Sequence, residues 1–386
     1  MVEEIKDHLR EKIIPFWKSM HDERGGFYGY MDFDLKVDKE AEKGCILNSR
    51  ILWFFSSAYK VLKDEPLLIE ARHAYEFMNR FCFDRDYGGV FWSTDAEGKP
   101  LDTTKHTYNQ AFAIYGLCAY YDATSDEDAI FAARNLFELI EEKMRDEGGY
   151  LEAFSRDYTP VSNEKLSENG VEAKRSMNTI LHVMEAYTEL YRLTKDQIVA
   201  GKIREILDII SEKLYNKDLK RQEVFFDLEY NSLIDLWSFG HDIEAAWLIN
   251  RATAVLGDDE YTAKMDKITE ALADNVYRYA FDGHSIPVEE ENGVIKQDRV
   301  WWVQAEGING FIDAYQKDPE RKEYLNAAEQ LWDYIKKYLV DKRENSEWFW
   351  YVNPDGSAAK EPIVEPWKCP YHNGRMCLEV ITRNVT

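Results

Sequence analysis

Cysteine, proline and glycine are all scarce in these 386 residues, at five, ten and twenty. So little glycine and proline excludes collagen, low-complexity disorder and a turn-rich all-β fold. The cysteines stand at 45, 82, 118, 369 and 377, an odd number with no CxxC pair. That excludes a disulfide framework and a zinc ribbon, and it fits reduced thiols in the cytoplasm. No apolar run approaches the ~20 residues of a membrane helix. The start, MVEEIKDHLREKIIPFW, lacks the basic-then-apolar layout of a secretory leader. Positive charge is in deficit: 48 Lys and Arg face 72 Asp and Glu, a net charge of −24. Nucleic acid and anionic membranes are therefore not expected as partners, since both reward the opposite sign. There is no P-loop, no GxGxxG after a strand, no GxSxG and no HExxH. Nucleotide binding, α/β-hydrolase chemistry and zincin chemistry thus lack their motifs, and neither a metal nor a cofactor is expected.

Aromatic residues, by contrast, are plentiful at 14%, and they mark a repeat. Gly25-Gly26-Phe27-Tyr28 returns as Gly88-Gly89-Val90-Phe91-Trp92 and Gly148-Gly149-Tyr150-Leu151. Degraded copies follow at Glu223-Val224-Phe225-Phe226, Gly283-His284-Ser285-Ile286 and Glu347-Trp348-Phe349-Trp350. The six anchors lie 60 to 74 residues apart and use up the chain, so residues 1–386 read as one domain. Each repeat holds an amphipathic helix, such as Ile130/Ala133/Phe137/Ile140, with apolar residues at steps of three and four. It also holds a second helix that is apolar around its circumference, at about 44–60, 105–121, 174–193, 238–256, 299–316 and 370–383. Helices of the second kind are buried on two sides. Six outer helices around six inner ones give an all-α (α/α)6 barrel; an open solenoid of helix pairs is the competing arrangement. The long outer-to-inner connections carry the Gly/aromatic motif as short β-hairpins on one face. Loops of that kind, beside the amino ends of the inner helices, are where a site is expected.

The inner-helix starts align on Asn48, Asn109, Asn178, Asp242, Gln304 and Asn373. Flanking them are Tyr108, His241 and His372 on one side and Arg50, Glu244, Glu306 and Arg375 on the other. Helix capping accounts for an Asn at such a place but not for Arg50, His241, Glu244 and His372 together. His241 and His372 occupy equivalent positions two repeats apart, and His182 lies one turn past Asn178. Trp302 and Trp367 stand close to the same layer, where an indole face can stack on a sugar ring.

At these residues the sequence resembles the cellobiose 2-epimerases of the N-acylglucosamine 2-epimerase superfamily. The segments that carry the likeness are GCILNSRILWFFSSAY (44–59), KHTYNQAFAIY (105–115), MNTILHVMEAYTELY (177–191), SFGHDIEAAWLI (238–249), RVWWVQAE (299–306) and EPWKCPYHNGRM (365–376). The resemblance implies an (α/α)6 barrel, no cofactor, and interconversion of reducing-end glucose and mannose in a β-1,4 disaccharide. It makes His241 and His372 the acid/base pair and places Arg50 and Tyr108 on the carbonyl side. It assigns Asn178, His182, Glu244, Trp302, Glu306 and Trp367 to the substrate pocket. A small-molecule disaccharide is then the partner, and the protein is expected as a monomer or weak dimer.

Inverting carbon 2 of an aldose needs an open chain, a base on one face and an acid on the other. Free imidazoles titrate near pH 6.5 and suit both tasks. Glu244 follows His241 by three residues and should favour its imidazolium; Arg375 follows His372 by three and should keep it neutral. His372 is then the base from the glucose side. Three rival readings remain at this stage. An aldose–ketose isomerase shares the enediolate, an inverting glycoside hydrolase would rely on Glu244 and Glu306, and a sugar-binding protein would need the aromatics alone.

Overall fold

The computed structural model describes residues 1–163 and 169–384. The first helix is α1 (Val2–His8), continued through a wide π turn into α2 (Ile14–Ser19). Then come α3 (Cys45–Leu62), α4 (Glu65–Phe77), α5 (Thr107–Thr124), α6 (Glu127–Lys143), α7 (Met177–Thr194) and α8 (Gln197–Ile209). The series ends with α9 (Phe239–Leu256), α10 (Asp259–Asn275), α11 (Trp301–Lys317), α12 (Lys322–Tyr334) and α13 (His372–Arg383). The inner helices α3, α5, α7, α9, α11 and α13 each touch the next, and α13 returns to α3, so the ring closes and is not a solenoid. Helices α4, α6, α8, α10 and α12 pack outside the inner helix that precedes them, while α1 packs on α13. The first outer helix thereby completes the last repeat. The fold is an (α/α)6 barrel.

Burial follows the two sequence patterns. Every residue from Cys45 to Ser56 of α3 is buried, whereas α6 buries a stripe of Ala129, Ile130, Ala133, Leu136, Phe137 and Ile140. Turn chemistry sets the outer-helix starts: the Asp126, Asp196 and Asp258 side chains accept from the first-turn N–H groups of α6, α8 and α10.

The Gly/aromatic motifs sit in very short hairpins, as the bridges His21↔Phe27, Phe83↔Val90 and Val340↔Trp348 show. Gly26 and Gly89 take φ of +66° and +74°, which explains the glycine pair. A second pairing ties repeats together. The extended residues that lead into each inner helix pair with the following repeat's loop: Lys43–Gly44 with Ser93–Thr94, Lys105–His106 with Ala153–Phe154, and Arg175–Ser176 with Phe225–Phe226. Leu236–Ser238 with Glu289–Glu291 and Arg299–Val300 with Tyr351–Val352 continue it. The Met31↔Val364 bridge closes the chain of pairings. One face of the ring is thus stapled, and it is the face at which the inner helices begin.

Two further staples hold the hairpins to the ring. Asn48 Oδ1 accepts the Phe27 N–H at 3.1 Å, Gln110 Oε1 the Val90 N–H at 2.7 Å, Asp242 Oδ1 the Gln222 N–H at 3.1 Å and Gln304 Oε1 the Ile286 N–H at 2.9 Å. These are the aligned polar residues of the sequence repeat, and they clamp loops instead of capping helices. The equivalent in the second repeat is Gln110, not Asn109. In the third, Thr179 is the residue turned to the loop, donating to Glu152 at 2.7 Å, and its neighbour Asn178 is left for the pocket. The other staple is ionic. Lys43–Asp22 (2.7 Å), Lys105–Asp84 (3.1 Å), Arg175–Asp146 (2.6 Å), Arg299–Asp282 (2.9 Å) and Lys368–Glu347 (2.7 Å) recur in five repeats. In the fourth, Trp237 stands at that place and its indole N–H donates to Asp242 at 2.7 Å.

Candidate active site

The amino ends of the inner helices converge on a pocket at the stapled face. Arg50 comes from α3, Tyr108 from α5, Asn178 and His182 from α7, His241 from α9 and Trp302 from α11. Trp367 and His372 enter with the segment that starts α13. Eight of the ten residues singled out in the sequence therefore share one wall. Glu244 and Glu306 do not: both are completely buried beneath it. Trp302 neighbours both histidines, its ring 4.6 Å from His241 and 5.5 Å from His372, centre to centre. Gly240 makes room for it, since a Cβ there would stand 2.6 Å from the indole. Trp367 lies 5.8 Å from the ring of Tyr108 and 6.0 Å from the guanidinium of Arg50.

Arg50 is buried and sandwiched by aromatic faces, Phe112 at 4.1 Å and Tyr371 at 4.8 Å. Its Nη2 donates to Tyr108 Oη at 2.7 Å and its Nη1 reaches Cys369 Sγ at 3.8 Å. Among the described residues it pairs with no carboxylate. A cation held dry beside a phenol, without a counter-ion, is a ready partner for an oxyanion. Burial pushes the Tyr108 phenol up, so it stays a neutral donor.

His372 has a carboxylate behind it. Its Nδ1 lies 2.8 Å from Glu306 Oε1, and Glu306 Oε2 accepts the Trp247 indole N–H at 3.0 Å. An imidazole whose Nδ1–H is donated to a carboxylate presents the Nε2 lone pair, and any proton gained there is stabilised from the rear. Burial, then Arg375 and Arg50, hold the His372 imidazole well below its ordinary range. Arg375 donates to Glu306 at 2.7 Å and also to Glu244 and Glu185. Glu244, Glu306 and His372 bring ligand atoms within 4.8 Å of one another. Arg375 already bridges both carboxylates and supplies the positive charge a metal would bring.

The Glu244 expectation fails. Glu244 does follow His241 by one turn, but its carboxylate is taken by Arg375 and comes within 3.9 Å of His372 instead. His241 Nδ1 pairs with Ser238 Oγ at 2.7 Å, and burial lowers its imidazole to about 3. Both histidines thus rest neutral. The Arg375 half of the expectation holds: it depresses His372.

His182 points into the pocket with its Nδ1 2.8 Å from Glu185 Oε2, which also accepts from Tyr371 Oη at 2.6 Å. Glu185, Tyr371, Trp247 and Ser238 were not singled out in the sequence. Glu185 could have been, at the same three-residue spacing from His182. Ser238 could have been too, three residues ahead of His241; the roles of Tyr371 and Trp247 are visible only once the inner helices are side by side.

Fold and mouth together define an (α/α)6 protein equipped for proton transfer on a polyol: two neutral imidazoles, an unpaired buried cation and indole walls. Residues 26–374 match the family N-acylglucosamine 2-epimerase (GlcNAc 2-epimerase). Cellobiose 2-epimerase of Eubacterium cellulosolvens is 51% identical over 400 residues, covering 99% of this chain and 98% of its own. That of Ruminococcus albus is 48% identical over 387 residues, covering 100% and 99%. The crystal structure of a sugar epimerase from a ruminal bacterium superposes with a TM-score of 0.98 at 48% identity, covering 100% of both chains. The chain belongs to the N-acylglucosamine 2-epimerase family.

Proposed function

We propose that this protein is a carbohydrate 2-epimerase, an isomerase that inverts carbon 2 of the reducing-end sugar in β-1,4-linked disaccharides. It takes cellobiose to glucosyl-mannose and lactose to epilactose. We further propose that it works in the cytoplasm without a cofactor or metal, as one catalytic unit spanning residues 1–386. Its partners are small disaccharides, not membranes or nucleic acid, and it is a monomer or weak dimer. The carrying observation is the pair of imidazoles, His241 and His372, both beside Trp302 in a pocket that also holds Arg50, which pairs with no carboxylate among the described residues.

The chemistry follows from the open-chain sugar. His372 Nε2 takes the carbon 2 proton and becomes an imidazolium held by Glu306. The electron pair moves onto the carbonyl oxygen, where Arg50 and Tyr108 stabilise it, a contribution of ~3–4 kcal/mol for a good donor. The negative charge raises the proton affinity of His241, which takes up a proton from solvent and delivers it to carbon 2 from the other face, while His372 gives the proton it took back to solvent. The reverse reaction exchanges the two roles. His372 remains the base from the glucose side, but Glu306 is its reason, not a contrast between Glu244 and Arg375 as local neighbours. Trp302 and Trp367 act as stacking walls, and Asn178 and His182 face the sugar hydroxyls.

Product analysis after incubation with cellobiose tests the reading. A carbon 2 epimer supports it; a ketose would make the protein an isomerase of the mannose type, free glucose a hydrolase, and no change a binding protein.

Trp367→Ala should lower kcat/KM for cellobiose more than tenfold, because losing an aromatic stack costs ~1.5 kcal/mol or more. Unchanged kinetics would place the disaccharide elsewhere. The pH profile follows from the depressed imidazole. A base is lost when it is protonated, so a free histidine would be half lost at about pH 6.5. With His372 held well below that value, kcat/KM should lose less than about twofold between pH 7.5 and 6. Half-loss near pH 6.5 would mean an unperturbed base.

A further inference from the structure

Three buried carboxylates meet one guanidinium beneath His372, and their hydrogen bonds are unequal. Arg375 on α13 donates to Glu185 on α7, Glu244 on α9 and Glu306 on α11. Glu306 has two more partners, His372 Nδ1 and the Trp247 indole. Glu185 likewise has Tyr371 and His182. Among the described residues Glu244 has Arg375 alone, through Oε1, while its Oε2 is sealed from solvent with no hydrogen-bond partner. The charged and titratable groups facing Glu244 are Glu185, Glu306, Arg375 and His372, with the phenols of Tyr108 and Tyr371 nearby.

A buried carboxylate oxygen that receives no hydrogen bond is costly to leave ionised. Of the three, Glu244 is therefore where a proton belongs. We propose that Glu244 is carried as the neutral carboxylic acid, and that this proton leaves His372 free to act as a base. With Glu244 neutral, Glu185 and Glu306 against Arg375 leave one negative charge. The proton taken from carbon 2 by His372 cancels it. With Glu244 ionised, a second negative charge 3.9 Å from His372 Nδ1 would hold the imidazolium in the resting enzyme and remove the base. Burial and the like charge of Glu306 both push the Glu244 carboxyl upward, in the same direction. Glu244 is thus a positioning residue: it acts through His372 and Arg375, not by touching sugar.

The consequence for catalysis rests on the epimerase reading, but the protonation state does not, so it is measured without activity. Infrared difference spectra of the parent minus Glu244→Gln at pH 7 should show the C=O stretch of a protonated carboxyl, shifted down in heavy water. Glutamine mimics the neutral acid in shape and charge, so the variant should also unfold within about 3 °C of the parent, as a change under ~1–2 kcal/mol does in a chain of this size. A carboxylate band in place of the carboxyl one would overturn the proposal. So would failure of Glu244→Gln to fold, because that would show an ionised partner of Arg375 had been lost. An inactive protein that shows the carboxyl band would sink the proposed function and leave this proton where it is. An active epimerase without the band would do the opposite.

Discussion

Changing His372 to asparagine should stop the epimerisation of cellobiose, with kcat down by about 10²–10⁴-fold, the usual contribution of a positioned acid or base. Changing His241 to asparagine should do the same, yet the two variants should differ in heavy water. The His241 variant should still exchange the carbon 2 proton of the glucose epimer slowly, with His372 taking that proton and returning deuterium to the face it came from. The His372 variant should lose this exchange and keep some from the mannose epimer, whose carbon 2 proton would face His241. Proton nuclear magnetic resonance of the carbon 2 position follows both. Epimerisation within about tenfold of the parent in both variants would end the two-histidine mechanism. A swapped exchange pattern would keep the pair but reverse the roles, and Glu306 would no longer mark the glucose-side base.

Glu306→Gln should lower kcat for cellobiose about 100-fold while KM moves less than threefold. The carboxylate lies 2.8 Å behind His372 and is completely buried. An amide there cannot balance the imidazolium that forms as carbon 2 loses its proton, and losing one partner of a buried ionic pair costs ~3 kcal/mol or more, about 10² in rate. Because Glu306 is absent from the pocket wall, substrate binding should hardly notice. A large rise in KM with kcat preserved would mean that Glu306 touches the sugar itself, as the family resemblance assigns.

The closed ring could be read from the chain because its two signals reinforce each other. The Gly/aromatic motif fixes the repeat, and the apolar inner helices begin within three residues of their expected starts, at Cys45, Thr107, Met177, Phe239, Trp301 and His372. The ionic staples were equally present as letters. Lys43, Lys105, Arg175, Arg299 and Lys368 stand just ahead of the inner helices, but a charged side chain in a sequence reads as a solvated one. Only the fold shows Lys105 and Asp84 sealed together. The one-residue slip at Asn109 and Asn178 has a similar cause: Asn109–Gln110 and Asn178–Thr179 are both polar pairs, and nothing local says that Gln110 will accept the Val90 N–H while Asn109 donates to the Phe91 carbonyl, or that Thr179 is the member turned to the loop. Glu244 shows the wider limit. Helical spacing says which residues share a face of one helix, but not that α13 will bring Arg375 across to claim the carboxylate. The place of His241 and His372 in the mouth followed from the repeat, whereas Glu306, the partner of His372, comes from another helix and is a property of packing.

The central claim, proton transfer at carbon 2 by groups on opposite faces, is tested most directly by the first turnovers of the parent enzyme on cellobiose in heavy water. Deuterium should appear at carbon 2 of essentially every glucosyl-mannose molecule formed, because the returned proton comes from a solvent-equilibrated His241. The unreacted cellobiose should remain largely unlabelled at that stage. Product that keeps its original carbon 2 hydrogen, or deuterium placed at carbon 1 of a ketose, would contradict the account.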